Sequence, residues 1–166
     1  MKNLLFLSVL PVLLFTFGCK NKQYITADIQ SDSTFVVNHL YAITRTPEYR
    51  NYLNTQQLNE TADYILSIFR QYADTAYLQT YKVGDEIYKN VVGRFNSSDP
   101  KPVVIVGAHY DVCGNQEGAD DNASGVVGLL ELARLLSYQQ SDYPIELVAY
   151  SLEEPPFFRT EFMGSY

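Results

Sequence analysis

The 166-residue sequence is poor in cysteine and in clustered basic side chains. Its 19 Asp and Glu residues outnumber its 12 Lys and Arg residues, which gives a formal net charge of −7. Proteins that bind nucleic acids neutralise phosphates with stripes of Lys and Arg, and the sequence has no such stripe. We therefore expect no nucleic-acid partner. An internal disulfide bond is possible only if both cysteines, Cys19 and Cys113, are unmodified.

Long hydrophobic runs are missing too, apart from one near the N-terminus. The stretch from Leu4 to Phe17 is apolar except for Ser8, Pro11 and Thr16, and it follows the charged Lys2. A membrane-spanning helix needs about 20 apolar residues, so this shorter stretch indicates an export signal rather than a transmembrane helix.

The end of this stretch, Thr16–Cys19, resembles the cleavage box of bacterial lipoproteins, in which the cysteine becomes the lipidated first residue of the mature protein. We therefore expect a signal peptide over residues 1–18, a lipid anchor and polar tether over 19–32, and a folded domain over 33–166. The alternative is an ordinary secretory signal with an incidental cysteine. Both interpretations predict export to the bacterial cell envelope, and the first adds a membrane anchor through Cys19.

Hydrophobic periodicity predicts two helices in the first half of the domain. The first begins at Ser33 or Thr34, either of which can cap it, and it ends before Pro47. The second runs from about Thr55 to Tyr72, because apolar side chains recur along one face.

The remaining segments alternate between strand and helix patterns. Residues 76–83 and 87–95 flank a short polar turn that contains glycine, which predicts a β-hairpin. The unbroken apolar run 103–108 is typical of a strand that is buried on both faces. Helical spacing over 124–136 and a strand pattern over 145–151 complete a right-handed β-α-β unit. The order of elements predicts one α/β domain.

Residues with metal-ligand chemistry lie at one end of each of the last three segments. His109 comes directly after the apolar run and offers a neutral nitrogen, and Asp111 can fix its ring through the other nitrogen, so we count Asp111 with the catalytic residues. Alone, this three-residue pattern is weak, because it occurs often by chance. The carboxyl ends of parallel strands meet at one edge of a sheet, so the acidic clusters at 120–121 and 153–154 are expected beside it.

Asp120, Asp121 and Asn122 lie where the third helix is predicted to begin. Helix capping explains one or two polar residues at such a position. Two adjacent acids after a buried strand and a His-x-Asp pattern are better explained by a carboxylate that bridges two metal ions about 3.5–4 Å apart. We therefore predict that Asp121 is a metal ligand.

Glu153 and Glu154 follow an apolar strand, where two consecutive acids are costly to desolvate unless a cation lies nearby. Neighbouring side chains on an extended chain point in opposite directions, so one can bind metal while the other faces the attacking water. We predict that Glu154 is the ligand and Glu153 the general base. Without the upstream clusters, a pair of surface acids would be the simpler interpretation.

Taken together, these motifs resemble the co-catalytic zinc exopeptidases of metallopeptidase family 28, the secreted bacterial aminopeptidase type. The resemblance covers residues 33–166 in layout. Its specific part consists of the runs 109–111, 118–125, 153–154 and 164–165.

The resemblance assigns a role to each motif residue. It implies that His109 binds one zinc ion, that Asp121 bridges both ions, and that Glu154 binds the other. Glu153 is then the general base that activates water, and peptides are the substrates. The resemblance further implies a cis peptide bond between Asp121 and Asn122.

The fold implied by the resemblance is a three-layer α/β/α sandwich with a mixed, mostly parallel sheet, as in the phosphorylase/hydrolase-like proteins. Family members carry a further Asp ligand and a final His ligand, and we expect both to lie beyond Tyr166. Residues 33–166 are then the N-terminal part of a zinc peptidase domain, inactive as they stand. We expect strand 145–151 to form the exposed edge of their sheet.

Two other functions are compatible with these motifs. A glutaminyl cyclase shares the fold and uses one zinc ion, although the run 121–125 favours the peptidase. A non-catalytic binding module anchored to the membrane is the second alternative.

Overall fold

The computed structural model describes residues 29–166, so the predicted signal peptide and most of the tether lie outside the described residues. The three helices are α1 (Ser33–Thr44), α2 (Thr55–Tyr72) and α3 (Ser124–Leu136). The four strands are β1 (Thr75–Val83), β2 (Glu86–Phe95), β3 (Val104–His109) and β4 (Ile145–Tyr150). No helix within this part of the chain is long and apolar enough to cross a lipid bilayer.

The four strands form one mixed sheet in the order β1-β2-β4-β3. Strands β1 and β2 form the predicted hairpin, and β2 also pairs antiparallel with β4. The predicted β-α-β unit is present, since β3 and β4 pair in parallel and α3 connects them. The mixed α/β fold is therefore confirmed, although parallel pairing within residues 29–166 is confined to β3 and β4.

The helices form a layer against the sheet. Helix α2 contacts β1 and β2, helix α3 contacts β3 and β4, and α1 and α2 both contact α3. The layer is dense where Phe69 of α2 meets Gly93 of β2, since an added Cβ on this glycine would lie 3.0 Å from the phenylalanine ring. A second helical layer, which a three-layer sandwich requires, is not among the described residues.

Helix α1 begins at Ser33, but neither of the two predicted residues caps it. Its cap is Asp32, whose Oδ1 accepts hydrogen bonds from the backbone N–H groups of Thr34 and Phe35. The prediction of Ser33 or Thr34 as the cap is wrong. A carboxylate is a strong acceptor and also interacts favourably with the positive end of the helix dipole.

The positions of β3 and β4 in the sheet are the reverse of those predicted. Strand β3 is the edge strand, and its Ile105 is 60% exposed, so it is not buried on both faces. Strand β4 lies between β2 and β3, and its Leu147 is fully buried, so it is not the exposed edge. Both strands are apolar, and only pairing with a distant strand, β2, decides which of them is interior.

Candidate metal centre

Three chain turns at one end of the parallel strand pair carry the predicted ligands. His109 is the last residue of β3, and Glu154 lies four residues beyond the end of β4. Asp121 lies in a single wide helical turn, Ala119–Ala123, that leads directly into α3. Because β3 and β4 run in parallel, their carboxyl ends meet at the same edge, and α3 begins there.

The three side chains lie close together. One ligand atom from each of His109, Asp121 and Glu154 falls within 4.8 Å of the other two. The His109 Nε2 atom is 3.0 Å from Asp121 Oδ1. The histidine side chain is 18% exposed, whereas that of Asp121 is 67% exposed and faces solvent. The predicted proximity of the three side chains is confirmed, and their role as metal ligands stays a prediction.

Asp111 orients the His109 ring. The histidine Nδ1 is 3.2 Å from the backbone oxygen of Asp111 and 3.4 Å from its Oδ1, which leaves Nε2 directed at Asp121. Burial lowers the pKa of His109, but the Asp111 carboxylate and carbonyl outweigh it and raise the pKa to about 9. A metal ion that binds to Nε2 must therefore displace a proton at neutral pH.

The same aspartate also holds the Glu153–Glu154 turn. Asp111 is 3% exposed, and its two oxygens accept hydrogen bonds from the backbone N–H groups of Glu153, at 3.2 Å, and Glu154, at 3.0 Å. One buried carboxylate thus connects the end of β3 to the turn after β4. It fixes His109 relative to Glu154 without facing the solvent itself.

Negative charge accumulates between the ligands. Burial raises the pKa of Glu154, and the nearby charge of Asp121 raises it further. Crowded carboxylates of this kind are stabilised by a bound cation. One imidazole nitrogen and two carboxylates within 4.8 Å are a donor set that suits zinc.

The turn that carries Asp121 has an unusual backbone. The Asp121–Asn122 peptide bond is cis, as the family resemblance implied. The Asn122 Oδ1 atom accepts a hydrogen bond from Gly125 N–H at 3.1 Å and so caps the start of α3, and Ser124 Oγ bonds to the Asp120 carbonyl instead. The two acids of the run do not cap the helix, so capping does not account for them.

Gly118 opens this turn in a left-handed conformation, with a φ of +57°. An added Cβ would lie 2.7 Å from the Asp121 carbonyl oxygen and would also clash with the Val112 side chain. Position 118 therefore requires glycine both for its backbone angle and for the close approach of the Asp121 backbone.

Glu153 is not one of the three clustered ligands. Its carboxylate accepts two hydrogen bonds from Ser165, one from the backbone N–H at 2.8 Å and one from the hydroxyl at 2.7 Å. Glu153 and Glu154 therefore point to different partners, as the alternation of side chains on an extended chain predicts.

Sequence reasoning missed Arg50, a fully buried residue that stabilises two of the ligand-bearing segments. Its guanidinium donates hydrogen bonds to the carbonyls of Tyr110, Ile43 and Glu117 at 2.9, 2.6 and 2.8 Å. Burial lowers its pKa to about 10, while the charges of Asp111 and Glu117 oppose the shift. No local pattern marks Arg50, since it lies in a polar loop 60 residues before Tyr110.

Two other residues that the sequence drew attention to lie outside the cluster. Cys113 is an exposed loop thiol. His39 packs against Phe35, with ring centroids 4.0 Å apart, and hydrogen-bonds to the Tyr64 hydroxyl at 2.6 Å. This histidine is therefore a packed residue of α1 and is not part of the candidate metal cluster.

Residues 90–165, which contain every motif residue of the cluster, match the family described as Peptidase family M28. This match places residues 90–165 in the M28 peptidase family. The chain is also 39% identical over 170 residues to the Escherichia coli (strain K12) protein YfbL, which is uncharacterized. The alignment covers 98% of this chain and 52% of YfbL, so the chain spans about half the length of this relative.

Solved structures share the fold of this chain. A Zn-dependent exopeptidase from Parabacteroides distasonis ATCC 8503 has a TM-score of 0.66 at 22% identity, and the match covers 82% of this chain and 52% of the exopeptidase. The glutaminyl cyclase of Tannerella forsythia has the same TM-score at 23% identity, with 81% and 52% covered. These similarities establish the fold and do not distinguish the two activities.

Proposed function

We propose that the complete protein is a zinc-dependent exopeptidase that removes N-terminal residues from peptides. The observation that carries this proposal is the cluster of His109, Asp121 and Glu154, with Glu153 next to Glu154 in the chain. The match to peptidase family M28 supports it, and so does the shared fold with an exopeptidase that is described as zinc-dependent.

The proposed site holds two zinc ions. His109 and Asp121 would bind one, and Asp121 and Glu154 the other. Asp121 suits the bridging position because it lies beside His109 and 67% of its side chain is exposed. Zinc in such a site lowers the pKa of a water ligand towards about 7, which supplies a nucleophile at neutral pH.

Glu153 acts as the general base in this proposal. It accepts a proton from the attacking water and transfers it to the leaving amine as the peptide bond breaks. Asp111 has a supporting role, because it is buried and already accepts hydrogen bonds from the Glu153–Glu154 turn. It positions His109 and the glutamates and does not contact the substrate.

The proposal is tested with the complete protein and aminoacyl-p-nitroanilides as substrates. We expect zinc-dependent release of nitroaniline, and we expect Glu153→Gln to lower kcat by roughly 10²–10⁴-fold while zinc binding persists. Glu161→Gln is the matched control, because Glu161 is an exposed glutamate of the same loop. Full turnover by the Glu153→Gln variant would show that the base is misassigned.

The second candidate is a glutaminyl cyclase, which the equally good match to the Tannerella forsythia enzyme favours. Cyclisation of an N-terminal glutaminyl peptide without hydrolysis of the anilides would establish that activity instead. If zinc binds and neither reaction occurs, a non-catalytic binding module becomes the better interpretation.

We further propose that the protein is exported and anchored to the bacterial cell envelope through a lipid on Cys19. The support is the apolar stretch and the Thr16–Cys19 box in the sequence. Metabolic labelling with a radioactive fatty acid tests it. We expect label in the wild-type protein and none in a Cys19→Ser variant, and equal labelling of the two would contradict the anchor.

A further inference from the structure

The carboxylate of Glu153 is held by a single residue. Ser165 N–H donates to Glu153 Oε1 at 2.8 Å, and the Ser165 hydroxyl donates to Oε2 at 2.7 Å. The backbone N–H of Glu153 bonds to Asp111 at 3.2 Å. Both the main chain and the side chain of the proposed base are therefore fixed, and two bonds from one residue also fix the plane of the carboxylate.

The position of Ser165 depends on the contacts of its neighbour, Gly164. The Gly164 N–H donates to the Ser151 carbonyl at 2.9 Å, and the Gly164 carbonyl accepts from Asn90 Nδ2 at 2.8 Å. An added Cβ at residue 164 would lie 2.5 Å from the Ser151 oxygen and would also clash with the Asn90 side chain. Only glycine can approach these groups so closely, so Gly164 determines the backbone position of Ser165.

Asn90 connects the two ends of the loop that carries Glu153. It is 2% exposed and lies in β2. Its Oδ1 accepts from Ser151 N–H at 3.1 Å, while its Nδ2 donates to the Gly164 carbonyl and to Gln79 Oε1 at 3.0 Å. One buried amide therefore links Ser151, two residues before Glu153, to Gly164, next to Ser165.

We propose that Ser165, anchored by Asn90 through Gly164, is the positioning residue of Glu153. This inference rests on the proposed function, because it assigns a role toward the general base. The Asn90 and Gly164 contacts already join the two ends of the loop. The exposed Ser165 hydroxyl adds a hydrogen bond to the Glu153 carboxylate, so it acts on the proposed base itself.

The main test is the Ser165→Ala substitution in the complete protein. The variant keeps the backbone N–H and loses one hydrogen bond to a charged group, so we expect kcat to fall roughly tenfold to a hundredfold. KM and the zinc Kd should stay unchanged, and Ser165→Thr should restore kcat because it restores the hydroxyl. Zinc Kd is measured by competition with a chelator.

Two controls separate positioning from general loosening of the loop. Thr160→Ala removes a hydroxyl of the same loop that donates to the Phe157 carbonyl and does not contact Glu153, so kcat should not change. In the Glu153→Gln background, Ser165→Ala should have little further effect on residual turnover, because the effects of substitutions at coupled residues are not additive. An equal loss with Thr160→Ala, or an additive loss in that background, would overturn the proposal.

Hydrogen exchange of the Ser165 amide gives a readout that does not depend on turnover. We expect the amide to be protected in the wild type and to exchange faster in Glu153→Ala, which removes its acceptor. Unchanged exchange contradicts the proposed contact. If the wild-type protein hydrolyses peptides and Ser165→Ala has the same activity, this inference fails and the proposed function stands. If the wild type is inactive, the proposed function fails, and the exchange measurement still shows whether Ser165 contacts Glu153.

Discussion

Two clusters of charged residues in this molecule place their carboxylates in opposite electrostatic surroundings. In the helix layer, Glu131 of α3 accepts hydrogen bonds from Arg134 Nε and Nη2 at 2.8 and 2.7 Å and from Asp32 N–H at 2.8 Å. At the sheet edge, Asp121 and Glu154 lie together with one histidine and have no Arg or Lys among the clustered ligands.

The electrostatics of the two clusters differ accordingly. Hydrogen bonds from Arg134 lower the pKa of Glu131 to about 2. The pKa of Glu154 is raised, first by burial and then by Asp121. A carboxylate paired with a guanidinium stabilises the fold, whereas carboxylates that crowd together at an edge are suited to an added cation. Proximity of acids therefore indicates a binding site only where no guanidinium or ammonium group compensates them.

The sharpest test of this contrast is a comparison of the two histidines. His109→Ala in the complete protein should remove most of the zinc affinity, a larger loss than the roughly 10–100-fold typical of outer-shell changes. His39→Ala should leave the affinity unchanged, because His39 packs in the helix layer. Chelator competition measures both, and similar affinities for the two variants would contradict the assigned cluster.

The next largest effect concerns the paired cluster. Arg134→Met leaves the Glu131 carboxylate without its charged donor, so the free energy of unfolding should fall by about 1.5–3 kcal/mol. Zinc affinity should not change. Urea denaturation gives the first quantity, and Arg159→Met, at an exposed arginine that stacks on Phe158, serves as a near-neutral control. A loss of zinc affinity in Arg134→Met would show that the two clusters are coupled.

A smaller effect is expected from the aspartate that connects the ligand turns. Asp111→Asn replaces one acceptor oxygen with a donor that faces a backbone N–H, so we expect zinc affinity to fall about 10–100-fold while the ligands themselves remain. Asp63→Asn is the control, because Asp63 forms an exposed pair with Lys89. Equal zinc affinity of the Asp111→Asn variant and the wild type would exclude the positioning role of Asp111.

The smallest effect is a pH dependence of the paired cluster. The folded-state pKa of Glu131, about 2, lies below the ordinary glutamate value of 4.5, so its stabilising contribution is complete above about pH 4.5 and is lost as the pH falls towards 2. The difference in unfolding free energy between the wild type and Glu131→Gln should therefore shrink between pH 7 and pH 3. A difference that stays constant over this range would contradict the low pKa.

Much of the site could be predicted from the sequence because its residues lie in short local motifs. His109, Asp121 and Glu154 each lie within four residues of the end of a segment with clear periodicity, and the sheet brings these segment ends together. Arg50 and Asn90 could not be assigned in this way, because their partners near the site lie 60 or more residues away. For Asn90 one signal exists, since asparagine is uncommon within a strand.

The sequence alone determined the lengths and types of the elements and the chemistry available at their ends, because periodicity and side-chain type are local properties. Tertiary structure alone decided that β4 lies inside the sheet and β3 at its edge, because both strands are apolar and only pairing with β2 distinguishes them. It also decided which buried polar groups hold the site together. Those hydrogen bonds depend on where distant backbone carbonyls and N–H groups meet in the folded chain.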